Sequence, residues 1–357
     1  MSSATSWREE LTRRFPKLAS LGPHSYVVGG AVRDLLLGRE PADADVACLD
    51  PLAAAKSIRE RVIRLGDQEH LSAYRVVDRT PQGEHVYDFA ELLDHDIDAD
   101  LGRRDFTMNA MAVDLARDAL LDPHGGRRDL ESRTVRMVDP SNFDDDPLRT
   151  LKGIRMAVKY GFTIDEATIA AIRLRAPRIL EMAGERVVYE LSIVFSSDAL
   201  RTAVDLLDRT GLAAALGLKT PHLYADDVSP AGAYALLVDD PRAYAERWRW
   251  SDALLRDVLT LQRLIDHHDR LALFDAGERV ALQLPPVLRA LGRSDLLDLP
   301  DFTLRPLLTG TEIATLTGIA PGKELGNLVR ALIEAQVMGK VSTREEAEQF
   351  VRGARSR

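Results

Sequence analysis

The sequence predicts an α+β N-terminal part followed by a long all-helical region. Short β-type runs alternate with helical stretches through the first 140 residues. From about residue 145 onward, apolar residues recur at i, i+3, i+4 and i+7, which is the spacing of helices that bury one face. The sequence shows no repeat with a period of about 20–50 residues, so it does not indicate a solenoid.

Four strands and two helices are predicted in the first part. The β-type runs are 26–28, 45–49, 74–78 and 85–89. The turn signal RTPQGE between the last two runs predicts a hairpin. Helices are predicted at 31–37, directly after Gly29-Gly30, and at 51–64.

Helical patterns account for most of the remaining chain. They cover 145–162, 165–182, 185–195, 199–216, 250–272 and 345–354. Prolines near 221, 229, 285 and 300 predict breaks between helical units.

The composition is that of an ordinary folded protein, with 45% hydrophobic and 29% charged residues among 357. No apolar run approaches the roughly 18–20 residues that span a bilayer, and the N-terminus lacks a signal-type apolar stretch. A single cysteine, Cys48, excludes an internal disulfide and fits a reducing cytoplasm. We therefore expect a cytoplasmic protein without membrane contact, in which Cys48 is a buried structural thiol.

The net charge of −9 does not decide whether the partner is a polyanion. A basic groove can coexist with an acidic remainder, and the arginines cluster between about 100 and 180.

Two acids stand one residue apart in the run DADVACL. Residues i and i+2 of a strand point to the same face, so Asp43 and Asp45 should project together. Two carboxylates at this spacing repel each other unless a cation lies between them, and Mg²⁺ usually takes one or two carboxylates plus substrate phosphates. Taken alone, such a pair is more often an ordinary feature of a strand entrance or turn.

The stretch before these acids favours a functional interpretation. A strand, Gly29-Gly30 and a helix form a layout in which backbone N–H groups cradle a phosphate, and side chains at the two glycines would block its approach. Arg33, one turn into the helix, is placed to reach the same anion. The alternative is a common turn with a local ion pair between Arg33 and Asp34.

The stretch GGAVRDLLLGREPADADV resembles the signature of the nucleotidyltransferase family that includes class II CCA-adding tRNA nucleotidyltransferases and bacterial poly(A) polymerases. LGRRDFTMNAMAVD at 101–114 resembles the ribose-recognition segment of that family. The likeness continues at DDDPLRTLKGIRMAVKYGFTID (144–165) and, more weakly, at GERVVYELSIVF (184–195). Together these segments cover roughly residues 21–215, in the order and spacing of the family.

The resemblance implies a nucleotidyltransferase head with a mixed β-sheet and helices, followed by an all-α neck, body and tail. The catalytic head is expected at 1–140, and a neck that recognises the nucleotide base at 141–220. A helical body and tail that bind tRNA are expected at 221–357.

The resemblance also implies a two-metal mechanism in which Asp43 and Asp45 hold Mg²⁺. One metal would lower the pKa of the tRNA 3′-hydroxyl, and the other would bridge the nucleotide phosphates and stabilise the leaving pyrophosphate. Gly29, Gly30 and Arg33 would engage the triphosphate. Asp88, on the strand HVYDF, is either a third catalytic carboxylate or an exposed acid of the hairpin.

Three residues of RRDFTMNA are candidates for binding the ribose: Arg104, Asp105 and Asn109. An aspartate that accepts a hydrogen bond from the 2′-hydroxyl lets a protein prefer ribonucleotides. Asp105 is also a suitable N-cap for a helix over FTMNAMAV, and it could serve both purposes.

Asp146 and Arg149 together supply acceptors and donors enough to read a Watson–Crick edge without a template. The resemblance implies that this pair selects CTP or ATP, whereas the alternative is an ordinary i, i+3 salt bridge at a helix start. Lys152 and Arg155 continue the polar edge of the same helix. The family most often has arginine where this chain has Lys152, and glutamate where it has Asp145. Lysine lacks the planar fork of arginine, so a bidentate contact from position 152 is not expected.

The expected reaction is Mg²⁺-dependent, template-independent nucleotidyl transfer to the 3′ end of tRNA from CTP, with ATP as a second candidate donor. Only the seven residues ELLDHDI separate DFA (88–90) from DADLGRRD (98–105). Family members that add the terminal adenosine usually carry a longer flexible segment here, so we expect addition of CC.

Three alternatives to CC addition are a full CCA-adding or A-adding enzyme, a poly(A) polymerase and an inactive RNA-binding family member. Poly(A) polymerases of this group tend to have long basic C-terminal extensions, whereas this sequence ends soon after EEAEQF. The intact acids Asp43, Asp45, Asp105 and Asp146, together with Arg149, argue against an inactive member.

Overall fold

The computed structural model describes residues 6–65, 73–80 and 83–354. The chain forms two compact units, Met1–Val194 with Leu206–Leu216, and Phe195–Asp205 with Gly217–Arg357. Among the described residues, all strands belong to the first unit and the second unit is helical. The α+β fold class is therefore confirmed.

A mixed β-sheet organises the first unit. The strands are β1 Ser25–Val28, β2 Ala44–Cys48, β3 Ile63–Leu65, β4 Ala73–Thr80, β5 Gly83–Glu91, β6 Ala112–Asp114, β7 Ala119–Leu121, β8 Thr134–Val135 and β9 Thr163–Ile164. Within the described ranges, the first seven form one sheet in the order β3-β4-β5-β2-β1-β6-β7. β2 and β5 pair in parallel, and every other neighbouring pair of this sheet is antiparallel.

The helices follow in chain order. They are α1 Trp7–Arg14, α2 Gly30–Leu36, α3 Pro51–Ile58, α4 Ile97–Gly102, α5 Gly126–Glu131, α6 Asn142–Asp145, α7 Leu148–Tyr160, α8 Glu166–Arg175, α9 Gly184–Phe195, α10 Leu200–Arg209, α11 Leu212–Leu216, α12 Pro230–Leu237, α13 Pro241–Trp248, α14 Asp252–Asp266, α15 Arg270–Ala276, α16 Glu278–Ala281, α17 Leu284–Ala290, α18 Gly310–Thr317, α19 Lys323–Val337 and α20 Arg344–Ala354. Short 3₁₀ turns cover Pro16–Ser20, Leu93–His95, Thr107–Asn109 and Ala176–Glu181. No described helix is long and apolar enough to cross a membrane.

The hairpin predicted at RTPQGE is confirmed. β4 and β5 pair in antiparallel register from Ala73 opposite Ala90 to Thr80 opposite Gly83. Residues 81–82 of the turn lie outside the described residues.

Several helix predictions were too long, and the one at 199–216 is divided into α10 and α11. The helix predicted at 51–64 ends at Ile58, because Arg59 is extended (φ −153°, ψ 139°), and Ile63–Leu65 instead pair with β4. The helix predicted at 250–272 is α14 followed by α15. His267 is extended at the break, and the Asp269 side chain caps α15 by accepting from Ala272 N.

The helix predicted after Asp105 is wrong. Phe106 is extended (φ −130°, ψ 148°), and only Thr107–Asn109 form a 3₁₀ turn. Ala112–Asp114 then pair with β1, so sheet hydrogen bonds replace the helical ones that the apolar run suggested. Asp105 Oδ1 accepts from Phe106 N at 2.8 Å instead of capping an α-helix.

The register of the sheet brings the sequence motifs together on its inner strands β1, β2 and β5. Val28, the last residue of β1, lies opposite Asp45, so the Gly29-Gly30 turn and the start of α2 follow directly beside the acids. The parallel pairing of β2 with β5 places Asp88 next to Asp45. The sheet therefore brings together residues that are up to 60 positions apart on the chain.

Helix α5 packs tightly on the 3₁₀ turn, which yields a stability prediction. A Cβ at Gly126 would lie 2.2 Å from the Thr107 carbonyl oxygen and 2.9 Å from Met111 Cγ. We expect Gly126→Ala to lower the free energy of unfolding by about 1–3 kcal/mol, as overpacking does elsewhere. Urea unfolding measures the loss. Gly22→Ala is the matched control because a Cβ there meets nothing within 4 Å. Equal stability of the two variants would contradict this packing argument.

Candidate active site

Asp43 directly precedes β2 and Asp45 is its second residue, and both are half-buried. Burial and the neighbouring charge of Asp43 raise the pKa of Asp45 to about 6. The pKa of Asp43 is also raised, by burial and then by the charge of Asp88. Both shifts indicate carboxylates that lack sufficient positive charge nearby in the protein itself.

Asp88 lies on β5 in parallel register with Asp45. Its carboxylate accepts two hydrogen bonds from Arg75 on β4, at 2.7 Å from Nε and 2.5 Å from Nη2. The Asp88 side chain is only 17% exposed, so it is not the solvated hairpin acid of the alternative interpretation. Its role as a third catalytic carboxylate stays a prediction, and Arg75 is a neighbour that the sequence did not indicate.

The turn at Gly29 requires glycine for two reasons. Its backbone has φ 69° and ψ −123°, a region that residues with a Cβ rarely adopt. A Cβ there would lie 2.9 Å from Arg104 Nη1 and 3.7 Å from Asp45 Oδ2. The turn, the acid of β2 and the arginine of the RRD segment are thus in direct proximity.

A chain of hydrogen bonds connects Arg33 to the ribose-recognition segment. Arg33 Nη1 donates to Asn109 Oδ1 at 2.7 Å, and Asn109 Nδ2 donates to Asp105 Oδ1 at 2.9 Å. The Nε of Arg33 donates to Asp34 Oδ1 at 2.9 Å, and Tyr160 at the end of α7 donates to the same oxygen at 3.0 Å. Arg33 therefore forms the local ion pair of the alternative interpretation and the longer contact as well.

These contacts leave two polar atoms available to a ligand. Within the described ranges, Nη2 of Arg33 and Oδ2 of Asp105 have no hydrogen-bond partner. Nη2 lies 3.5 Å from the position that a Cβ of Gly30 would take, so this donor faces the glycine turn.

A cavity of about 350 Å³ lies next to these groups. Its lining residues are Asp100, Arg103, Arg104, Asp105, Arg149 and Lys152. Asp100 is buried and accepts from Arg103 Nη2 at 3.0 Å and Arg104 Nη2 at 2.9 Å. This acid, which the sequence analysis did not single out, holds both arginines of the RRD segment on one side of the cavity.

Arg149 does not form the i, i+3 salt bridge with Asp146. Its Nη1 donates instead to the carbonyl oxygens of Arg103, at 2.7 Å, and Asn142, at 3.0 Å. Asp146 accepts from Leu148 N at 3.2 Å. The two side chains are thus held separately at the start of α7, which leaves open the base-reading role predicted for them.

Helix α9 contributes two charged residues that were not assigned a role from the sequence. Arg186 Nη2 lies 3.3 Å from Asp146 Oδ2, while Lys152 Nζ lies 3.9 Å from the same oxygen. One turn further, the buried Glu190 pairs with Arg155 at 3.3 Å. Their i, i+4 spacing in GERVVYEL was the available signal, because it places both on one face of a helix.

The carboxylate of Glu190 is buried away from solvent. Burial raises its pKa, and the charges of Arg155, Lys152 and Arg186 oppose that shift. Glu190 Oε2 and Arg155 Nε have no hydrogen-bond partner in the described part of the chain. The pair is therefore sensitive to the loss of either charge.

The donor set fits a hard divalent cation completed by substrate. Among the described residues, no group of three or more His, Cys, Asp or Glu side chains is arranged to hold a metal ion. Asp43 and Asp45 supply two carboxylates whose pKa values are raised first by burial and then by a neighbouring acid. Mg²⁺ commonly uses one or two carboxylates and completes its shell with phosphate oxygens and water.

Comparisons with known proteins agree with this arrangement. The Poly A polymerase head domain matches residues 25–136, and the probable RNA and SrmB- binding site of polymerase A matches 161–223. The chain is 32% identical to the A-adding tRNA nucleotidyltransferase of Deinococcus radiodurans, over 95% of this chain and 97% of that protein. The chain belongs to the class II tRNA nucleotidyltransferase family. It is therefore a nucleotidyltransferase, as the resemblance implied.

Further relatives of this nucleotidyltransferase are named for different specificities. The CC-adding tRNA nucleotidyltransferase of Thermus thermophilus is 31% identical over 92% of this chain and 93% of its own length. The Bacillus stearothermophilus CCA-adding enzyme in complex with CTP has a TM-score of 0.76 at 24% identity and covers 98% of both chains. The structural likeness confirms the fold.

The buried ion pair of the nucleotidyltransferase gives a second prediction. We expect Arg155→Met to lower the free energy of unfolding by about 3 kcal/mol, because the buried Glu190 then loses its counter-charge. Adding Glu190→Gln should restore most of the loss, since no buried charge then remains unpaired in that pair. Urea unfolding of the wild type, both single variants and the double variant measures the coupling. Strictly additive losses would show that the two side chains do not depend on each other.

Proposed function

We propose that this nucleotidyltransferase adds cytidines from CTP to the 3′ end of tRNA, with Mg²⁺ and without a template, and stops before the terminal adenosine. The tRNA substrate is supported by its similarity to A-adding and CC-adding tRNA nucleotidyltransferases. The restriction to CC is supported by one observation, the short and folded connection between β5 and α4. The cytoplasmic location expected from the sequence stays a prediction.

The proposed roles follow from the contacts of the site. Asp43 and Asp45 would hold Mg²⁺, which supplies a Lewis acid for the phosphates and the attacking 3′-hydroxyl when bound. The available Nη2 of Arg33 would donate to the triphosphate beside the Gly29-Gly30 turn. Asp105 would accept from the ribose 2′-hydroxyl through Oδ2, while Asn109 fixes its other oxygen.

The base of the incoming nucleotide would be recognised by Asp146, just before α7, and by residues within α7. Asp146 offers acceptor oxygens and Arg149 offers its remaining N–H donors, because its Nη1 is already engaged by main-chain carbonyls. Lys152 lines the cavity, and Arg155 is held behind it by Glu190. Residues 1–140 would then form the catalytic head, 141–220 the base-recognising neck and 221–357 the body and tail that bind tRNA.

The connection ELLDHDI is an ordered part of the fold. Leu92 is buried against Tyr26, Val28 and Leu101, and Ile97 packs on the same cluster. Residues between them form the 3₁₀ turn Leu93–His95. A pocket that switches from a pyrimidine to a larger purine needs a mobile element to re-aim its side chains. Because Leu92 and Ile97 anchor both ends of this connection, few of its residues are free to make that movement.

Addition of adenosine is the second candidate, because the A-adding relative is as similar as the CC-adding one, at 32% and 31% identity. A poly(A) polymerase would use the same head. An inactive RNA-binding member would have no need of the crowded Asp43 and Asp45. Nucleotide choice separates CC addition from the two activities that add adenosine, product length separates those two, and any incorporation excludes the inactive member.

The specificity prediction is tested with two tRNA substrates. With tRNA that lacks its 3′ CCA and labelled CTP, we expect two additions. With tRNA that ends in CC and ATP alone, we expect no efficient addition, because the connection cannot re-aim the pocket. Product length on a sequencing gel measures both. Efficient addition of one adenosine to the second substrate would overturn the CC restriction, and a long adenosine tail would indicate poly(A) synthesis.

The base-reading prediction uses Asp146→Ala. We expect discrimination of CTP from UTP, ATP and GTP to fall by about ten-fold or more, because a site that hydrogen-bonds a base rejects others by leaving polar groups unpaired. Incorporation of the four nucleotides is measured side by side. Glu166→Ala is the control, since it removes only an exposed ion pair with Arg209. A uniform fall for all four nucleotides would assign Asp146 a structural role.

A further inference from the structure

We propose that an arginine-lined groove on the second unit binds the phosphate backbone of the RNA substrate. The groove is formed by Arg242 on α13 and by Arg256 and Arg263 on α14. This inference rests on the proposed function and identifies a binding surface for the same substrate, in a part of the chain that the sequence resemblance does not reach.

The three arginines line one cavity of about 590 Å³. Arg256, Thr260 and Arg263 follow each other at i, i+4 and i+7, so α14 presents them on one face. Arg242 reaches the same cavity from α13. All three arginines are exposed, so their charges are accessible to a ligand from solvent.

These arginines differ from most others of the second unit. Arg201, Arg279 and Arg330, for example, each pair with an aspartate. In the described part of the chain, the side chains of Arg242 and Arg256 have no hydrogen bond or ion pair.

Arg263 donates only to Thr260 Oγ1, at 3.3 Å. A protein of net charge −9 thus concentrates three uncompensated arginines on one concave surface. Asp266 is the acid that lines the same cavity, so positive charge prevails there.

The shape of the surface favours a polymer over a single nucleotide. A second cavity of about 450 Å³ shares Thr260, Arg263 and Asp266 with the first and continues toward α15. Asp275 at that end is engaged by Arg330, so its charge is already compensated. Together the two cavities extend from α13 past α14 to α15, and the one aromatic ring among their described lining residues is His267, at the end of α14.

The chemistry of the lining suits phosphates. Guanidinium groups bind phosphate oxygens through two parallel N–H donors, and a threonine hydroxyl adds a further donor. Seven residues of α-helix separate Arg256 from Arg263, a rise of about 10 Å. Arg256 and Arg263 are therefore far enough apart to contact different phosphates of one strand.

The test compares two double variants of the full chain. Arg256→Ala with Arg263→Ala removes the charges of the groove. Arg305→Ala with Arg352→Ala removes the same charge from exposed arginines of the same unit, which have no side-chain partner among the described residues and lie outside the groove. Binding of tRNA is measured by fluorescence anisotropy over a series of salt concentrations, and nucleotide addition by steady-state kinetics.

For the groove variant we expect the dissociation constant of tRNA to rise about 10–100-fold at low salt, and the slope of log affinity against log salt to fall by about 1.5–2. The KM for tRNA should rise similarly, while the KM for CTP and the kcat at saturating tRNA stay unchanged. The control should keep the wild-type slope. Unchanged tRNA binding by the groove variant, or an equal fall in both double variants, would overturn the proposal.

Failure of this inference is distinguishable from failure of the proposed function. If the wild type extends tRNA but the groove variant has the same KM for tRNA, only the groove assignment is wrong. If the wild type does not extend tRNA at all, the proposed function is wrong and the groove, as an RNA site for that reaction, falls with it. Binding of an acidic peptide in place of RNA at this surface would likewise contradict the proposal.

Discussion

The rest of the site depends on two like charges, those of Asp43 directly before β2 and Asp45 within it. The alternation of a strand gives Asp43 and Asp45 the same face, and parallel pairing adds Asp88 beside them. Burial raises the pKa values of both, and the charge of Asp88 adds to the shift of Asp43 as that of Asp43 adds to the shift of Asp45. The protein therefore holds these acids at a cost in stability. A divalent cation relieves that cost, and the Gly29 turn keeps the space in front of Asp45 free of a Cβ.

Acidic residues around the two aspartates fix the orientation of nearby arginine side chains. Asp34 fixes one edge of Arg33, Asp100 holds Arg104, and Glu190 holds Arg155. Each arginine keeps its charge while losing much of its rotational freedom, which lowers the entropy that substrate binding must overcome. The acidic composition of the chain is thus compatible with a polyanionic substrate, because several of its acids orient basic groups.

The sequence sufficed for the class of fold and for the residues that local patterns place together. Gly29, Arg33, Asp43 and Asp45 are close on the chain, and strand alternation predicts their common face. The ends of helices and strands could be predicted less well from the sequence. The apolar run over 51–64 did not reveal that Ile63–Leu65 would pair with β4, because strand pairing depends on distant partners.

The supporting residues could not be predicted for the same reason. Arg75, Asp100 and Glu190 are ordinary charged residues until the fold places them against Asp88, Arg104 and Arg155. The course of the chain after Asp105 was missed because pairing of β6 with β1 outweighed the local helical pattern. Long-range backbone pairing therefore limits what periodicity alone can show.

The central claim is that Asp43 and Asp45 are arranged for a cation, and the stability of Asp45→Asn tests it most directly. In EDTA, we expect this variant to be about 1–2 kcal/mol more stable to urea than the wild type, because the neutral amide removes a disfavoured charge. With Mg²⁺ and CTP, the wild type should gain stability and the variant should gain much less. A variant that is less stable in EDTA, and that gains as much as the wild type from Mg²⁺ and CTP, would contradict the account.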